Sequence, residues 1–462
     1  MADLHALLAD AAARAADHRA SVADRPVVPA PTAADAVRAA LGPLRDEPTE
    51  PRAVVEELCR AVEPGLVATT GPRYFGFVVG GALDAATAAD MLAVGWDQPA
   101  FNPVTSPAAA VVEDVAGAWL AELLALPATV SVGFATGAQG ANTVCLAAAR
   151  HRVLADAGWD VESDGLAGAP RIGVVASEER HVTIDRSLRL LGIGAAAVQP
   201  VPADTQGRID PDALAGTLAA LPPGPTVVCL QAGNVNTGAC DDLATAVELA
   251  HRRGAWVHVD GAFGLWAAAS PRTRHLVDGV EGADSWTTDG HKWLNVPYDS
   301  GYAFCAHPHD HRAAMAFTAA YLTGHGEEGL RAPSDFVPES SRRARGFATW
   351  AALRELGRTG VTDLVDRCCT LARRFADHAA RLDGVTVAND VVLNQVLLRF
   401  GDDDAATGAV VAAVQRSGEC WMGGTTWHGQ RLMRVSVSNW STTADDIDRS
   451  VAAVAAAWTA LR

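Results

Sequence analysis

The sequence predicts an α/β fold, a largely parallel sheet with helices on its faces, followed by a smaller α+β tail. Three observations predict it. Short strand-like runs, β-branched or aromatic, alternate with helical stretches: RIGVVAS (171–177), TVVCLQAG (226–233), AWVHVDGAF (255–263) and SGYAFCA (300–306), with helical segments such as Asp241 to Arg253 between them. Strands spaced by helices imply βαβ crossovers and a parallel sheet. Hydrophobic residues make up 49% of the 462 residues, enough for a sizeable core. After about residue 330 the order becomes one long helix, then strand, helix, strand and helix.

Residues 1 to about 70 read as a helical segment, punctuated by Pro26, Pro29 and Pro31. A long apolar-periodic helix follows from Pro107 to Leu126. A second runs from Asn142 to Ala157, stopped by Gly158. The uncharged stretch from Leu123 to Ala149 is broken by Pro127, Gly133, Gly137 and Gly140. It reads as helix end, loop and helix, and not as a membrane span. Beyond the Gly-rich TGHGEEG (323–329), a helix extends to about Ala380. VVLNQVLLRF and LMRVSVS are strands, and Asp402, Asp403 and Asp404 cap the helix between them. The expected division is a helical segment over 1–70, a large α/β domain over 71–330 and a small α+β domain over 331–462.

Charge and cysteine content narrow the function classes. The balance of 37 Lys+Arg against 54 Asp+Glu, a formal net of −17, argues against nucleic acid or an anionic membrane as the main partner. Eight cysteines with no CxxC pair indicate neither a disulfide scaffold nor a zinc ribbon. The N-terminus, MADLHALLADAAARAADHRA, is an amphipathic, charged helix without a secretory signal pattern, so a cytoplasmic location is expected.

Four segments carry the chemistry. Lys292, in ADSWTTDGHKWLNVPYDSG, is flanked by His291, Trp293, Leu294 and Val296. Burial lowers a lysine pKa and frees its amine for Schiff-base chemistry, and the alternative is a surface lysine with a buried stem. Asp260, in HVDGAFG (258–264), ends an apolar strand at the edge where parallel sheets bind ligands. It could hold a pyridinium nitrogen protonated, or it could cap a following helix. ATGAQGAN (135–142) is a small-residue loop entering a helix, a place where backbone N–H groups can hold phosphate. His181, in SEERHVTIDRS, follows a strand and could stack on a flat ring. The tract His307, His309, His311 has no second cluster at ligand spacing and reads as an exposed loop, with no metal site.

Together and in this order, the segments resemble the group II pyridoxal-phosphate-dependent decarboxylases, which include aromatic-amino-acid and glutamate decarboxylases. The resemblance runs from about residue 70 to the C-terminus and is most specific at SWTTDGHKW, HVDGAFG and SEERH. It implies the type I aminotransferase-like fold of pyridoxal 5'-phosphate (PLP) enzymes, with a mainly parallel seven-stranded sheet, and a homodimer. By motif position, Lys292 matches the Schiff-base lysine and Asp260 the carboxylate paired to the pyridine nitrogen. Ala262 matches the small residue under the ring and His181 the imidazole on its other face. Gly137, Ala138 and Gln139 match the phosphate-holding turn, and His291 the residue before the lysine. The implied reaction is decarboxylation of an L-amino acid to the amine. The alternatives are an oxygen-dependent, aldehyde-forming deamination or other PLP chemistry on the same fold, and a regulatory relic without cofactor.

Three departures stand out. The family lysine usually follows Asn-Pro-His, whereas Lys292 follows Asp289-Gly290-His291. An acid near a phosphate is unfavourable unless it points away. The turn Gly233-Asn234-Val235-Asn236-Thr237 leaves any polar contact to the cofactor to an Asn or to Thr237. The segment between Leu322 and Trp350 lacks the family's proton-donating Tyr, with His325 and Phe336 as the nearest candidates. GPRYFGFVVGG (71–81) resembles the substrate-lining segment, with Phe77 near the side-chain site and Gly80 leaving space. Trp96, Gln98 and Phe101 lie beside it. This favours an apolar or aromatic substrate over glutamate.

Overall fold

The computed structural model describes residues 3–317 and 330–462. They form two compact units. One comprises residues up to 79 with 374–388 and 397–462. The other comprises residues 80–373 with 389–396.

The larger unit is built on a seven-stranded sheet. Its strands are β1 (Ser131–Ala135), β2 (Gly173–Ser177), β3 (Val198–Val201), β4 (Thr226–Gln231), β5 (Trp256–Asp260), β6 (Ser285–Asp289) and β7 (Gly301–Cys305). Their order is β1-β7-β6-β5-β4-β2-β3. The pairs β2–β3, β2–β4, β4–β5 and β5–β6 are parallel, and β7 is antiparallel to both β1 and β6. The link from β6 to β7 carries no helix, so no crossover is available and the strand must return antiparallel. Because β7 opposes both neighbours, β1, β2, β4, β5 and β6 all run in one direction. Their carboxyl ends therefore lie along one edge, where such sheets bind ligands. β1, β4, β5, β6 and β7 are buried at every position, as strands covered on both faces require.

The smaller unit holds the sheet β10-β11-β9-β8, from β8 (Val385–Val387), β9 (Gln395–Phe400), β10 (Gly423–Trp427) and β11 (Gln430–Ser436). Asp403 caps the helix Asp404–Ser417 by accepting from Ala405 N–H.

The compact units close at other places than 70 and 330, and hydrogen bonds show why. Residues 71–79 join the small unit: Phe75 N–H donates to Trp421 O at 2.8 Å, and Ser436 N–H to Phe75 O at 2.9 Å. Residues 331–373 join the large unit. Arg342 makes two bonds to Glu113, at 2.8 and 2.7 Å, with both side chains buried. The Tyr302 hydroxyl lies 2.9 Å from Thr349 Oγ1, and Thr362 Oγ1 donates to Ala269 O at 2.7 Å. The uncharged run from Leu123 contains a strand, β1, where a loop was expected. The histidine tract is not an exposed loop either. It lies at and inside the helix Pro308–Met315. His311 is buried, with Nδ1 2.8 Å from Ser131 Oγ and Nε2 3.0 Å from Phe336 O, while His307 pairs with Asp284 at 2.8 Å. Among the described residues no helix is long and apolar enough to cross a membrane.

Candidate active site

The single ligand edge of the large unit collects the segments singled out above. Gly137 follows β1 and is the N-cap of the helix Ala138–Asp156. His181 follows β2 and is the N-cap of the helix Val182–Leu190, its ring accepting from Thr183 N–H. Asp260 is the last residue of β5, and Lys292 stands three residues past the end of β6.

Asp260 is buried, and its carboxylate is fully engaged. Oδ2 accepts from Asn142 Nδ2 at 3.1 Å and from Thr183 Oγ1 at 3.3 Å, and Oδ1 accepts from Ala262 N–H at 3.2 Å. Asn142 has a second partner: its Oδ1 lies 2.8 Å from His258 Nε2, whose Nδ1 lies 3.0 Å from Ser285 Oγ. His258 is fully buried, and burial pushes its pKa down to about 4. A neutral imidazole with Nε2–H toward Asn142 satisfies this chain of bonds. The Thr183 hydroxyl also lies 2.8 Å from His181 Nδ1, so His181 and Asp260 share one hydroxyl.

The Lys292 side chain is four-fifths buried, with Nζ 3.0 Å from Asp289 Oδ2. Asp289 ends β6, and its Oδ1 accepts from Ala138 N–H at 2.6 Å. It points into the turn and not away from it. His291 Nδ1 accepts from Ser300 N–H at 3.1 Å, its Nε2 lies 3.5 Å from Asp289 Oδ1, and its ring stacks on Tyr298 at 4.3 Å. Burial lowers the His291 pKa, against the pull of Asp289. The backbone packs closely here: a Cβ on Gly137 would come 2.9 Å from His291 Cε1, and one on Gly80 would overlap the Lys292 carbonyl at 1.9 Å.

Other expected site residues have different placements. Gln139 Nε2 donates to Ser187 Oγ at 2.9 Å, so its side chain is engaged on the neighbouring helix. Asn234 donates to Glu179 O at 3.3 Å and Thr237 to Gln206 O at 2.6 Å, so both side chains hold the turn. The Phe101 carbonyl accepts from Ser334 N–H at 3.1 Å. Phe77 belongs to the smaller unit, where it is exposed and lies against Trp421 at 5.2 Å. Phe336 is buried with Arg331 over its ring at 4.3 Å and His311 edge-on at 5.1 Å, so packing accounts for it. His325 lies outside the described residues. Asn142, Thr183 and His258 were missed by sequence reasoning. All three stood inside quoted motifs, but the bonds that join Asn142 and Thr183 to Asp260 span 118 and 77 residues and gave no local signal.

Residues 41–400 match the model of the pyridoxal-dependent decarboxylase conserved domain. The chain belongs to this family. It is a PLP-dependent decarboxylase acting on an amino acid, with the mainly parallel α/β fold of that group. Tryptophan decarboxylase 1 of Oryza sativa subsp. japonica is 28% identical over 414 residues, 83% of this chain and 80% of that protein. Phenylacetaldehyde synthase of Petunia hybrida is 25% identical over 357 residues, 73% of this chain and 68% of that protein. Among solved structures, Oryza sativa TDC with PLP and tryptamine superposes with a TM-score of 0.90 at 26% identity, covering 99% of this chain and 98% of that one. Mouse CSAD, at 21% identity and a TM-score of 0.90 over 98% of each chain, shares the fold. The decarboxylase's own residues fit the ring of PLP. A buried carboxylate oriented by three donors suits a pyridinium nitrogen, and a shielded lysine amine suits an aldehyde carbon.

Proposed function

We propose that this decarboxylase converts an aromatic L-amino acid to its amine, as a cytoplasmic homodimer. Lys292 carries PLP, Asp260 pairs with the ring nitrogen, and His181 and Ala262 flank the ring. Gly137, Ala138 and Gln139 form the phosphate turn, beside His291, while Gly80 and Phe101 border the substrate. One observation carries the reading. The helix Ala138–Asp156 touches Asp260 through Asn142, and through Ala138 N–H it touches Asp289, the partner of Lys292. The ring-holding acid and the amine thus face one helix end at one sheet edge.

Bound PLP supplies an electron-accepting ring that takes up the pair left on Cα when CO2 departs. The chain's own groups do the rest. Asp260 holds a proton at the ring nitrogen, and its three donors keep the carboxylate from turning away. Lys292 would hold the cofactor's aldehyde carbon through its amine, beside the Asp289 carboxylate. An aromatic substrate is supported by the relatives named for tryptophan and tyrosine. A dimer is supported by exposed apolar side chains on the first helices, Leu4, Leu8, Val54 and Leu58, and on the helix Asp84–Trp96, Met91, Leu92, Val94 and Trp96. Eight free cysteines suit a reducing compartment.

The test is a product assay over L-amino acids with PLP, in air and without oxygen. Amine under both conditions is expected, with the aromatic amino acids turned over fastest. Oxygen-dependent aldehyde would replace this reading with that of the aldehyde-forming relatives. Lys292→Ala should abolish both product and the visible absorbance of lysine-bound PLP. A variant that keeps the band would remove Lys292 from its role.

A further inference from the structure

Asp289 departs from the family pattern, and the structure puts its carboxylate where the cofactor's phosphate is expected to be held. Its Oδ1 takes the Ala138 N–H at 2.6 Å, the first amide of the helix Ala138–Asp156. The Asp289 side chain is 3% exposed. A helix N-terminus favours an anion at this point, and here the chain supplies one of its own. We propose that Asp289 is a built-in competitor of the PLP phosphate, setting how tightly and how reversibly this enzyme holds its cofactor. The inference rests on the placement of the phosphate at the Gly137–Ala138–Gln139 turn.

Two negative groups brought to one buried amide repel each other, and the low polarity of the site strengthens the repulsion. Phosphate binding therefore requires the carboxylate to give up Ala138 N–H. Its remaining neighbours are Lys292 Nζ at 3.0 Å and His291 Nε2 at 3.5 Å. A Lys292 amine that holds the cofactor would be less available to Asp289, which would weaken the first of these. The carboxylate is then left facing His291, whose burial disfavours the proton that would neutralise it.

The experiment compares PLP with pyridoxal, which has the same ring and aldehyde and no phosphate. Each is titrated into cofactor-stripped wild type and Asp289→Asn, with binding read from the visible band of the lysine-bound aldehyde. An asparagine keeps the shape and removes the charge. Loss of the counter-ion to Lys292 affects both aldehydes alike, so the ratio of their Kd values isolates the phosphate end. PLP is expected to tighten relative to pyridoxal by tenfold or more in Asp289→Asn, and to dissociate more slowly on dialysis. An unchanged ratio, or a ratio moving the other way, overturns the proposal. Asp289→Ser, also uncharged, carries the same expectation should Asp289→Asn fail to fold. A wild type that forms no band with either aldehyde removes the placement of the cofactor itself, and this inference with it.

Discussion

At the residue scale, the hidden part of the site is the support behind Asp260. Asn142 bonds Asp260 with its amide and His258 with its carbonyl, all within the core. Asn142→Ala would leave a buried imidazole N–H and one carboxylate oxygen each short of a partner. Leaving a buried polar group unsatisfied costs about 1–3 kcal/mol. We expect a lower Tm, and a kcat reduced about tenfold or more with little change in KM, because Asn142 orients Asp260 and does not touch the substrate. Asn142→Asp should fail worse, since it adds a second buried acid beside Asp260. Steady-state kinetics and calorimetry on the two variants check this, and wild-type kinetics in Asn142→Ala would show that Asp260 needs no such support. Lys292, Asp260 and His181 were legible because each sits in a short motif with its own chemistry. The distant partners of Asp260, Asn142 and Thr183, were not, because hydrogen bonds spanning 118 and 77 residues leave no mark on either local sequence.

At the element scale, the site depends on how closely β7 and the turn after β1 approach. A Cβ on Gly301, the first residue of β7, would lie 2.4 Å from Gly137 Cα. The atom it would meet belongs to backbone, and so does the strand that carries it, so neither moves cheaply. Gly301→Ala should therefore push the turn away from Asp289 and destabilise the protein by about 1–3 kcal/mol, the usual range for overpacking. PLP should bind more weakly in this variant, in contrast to Asp289→Asn, and equilibrium dialysis separates the two cases. Strand legibility followed local composition. β2, β4 and β5 were read from β-branched runs and β7 from a short apolar run with Tyr302 and Phe304. β1, SVGFA, was hidden in an uncharged stretch, and β6, SWTTD, was read only as the approach to the lysine. β6 and β7 pair antiparallel across a helix-free link, a geometry that strand spacing does not encode.

At the scale of the whole molecule, buried titratable groups govern the response to pH. Burial lowers the pKa of His258 to about 4 and of His311 to about 3, against an ordinary 6.5. The folded chain therefore lacks two protons that the unfolded chain takes up below pH 6.5. Stability contributed by neutral His258 and His311 is fully present above 6.5 and is lost as pH falls. One proton corresponds to about 1.4 kcal/mol per pH unit, so the pair, half protonated in the unfolded chain at 6.5, weakens the fold by about 1.4 kcal/mol per unit there and by up to about 2.7 kcal/mol per unit about one unit lower. Asp241 acts in the opposite direction. Its carboxylate is buried, with a pKa raised to about 6 in spite of bonds from Ile209 and Gln231 N–H, so below pH 6 the folded chain holds a proton that the unfolded chain does not. Between about 6 and 4 the net slope of the three groups falls to that of one histidine. His307, whose bond to Asp284 raises its pKa, contributes stability that fades as pH rises above 6.5. Stability should thus peak close to neutrality and decline from about pH 6.5 downward with a net slope near that of one proton. Calorimetric Tm values from pH 8 to pH 5 test this, with His311→Gln expected to leave a much shallower decline by removing one of the two histidine protons. A Tm that stays flat from pH 7 to pH 5.5, in wild type and variant alike, would mean that His258 and His311 are not buried as neutral groups.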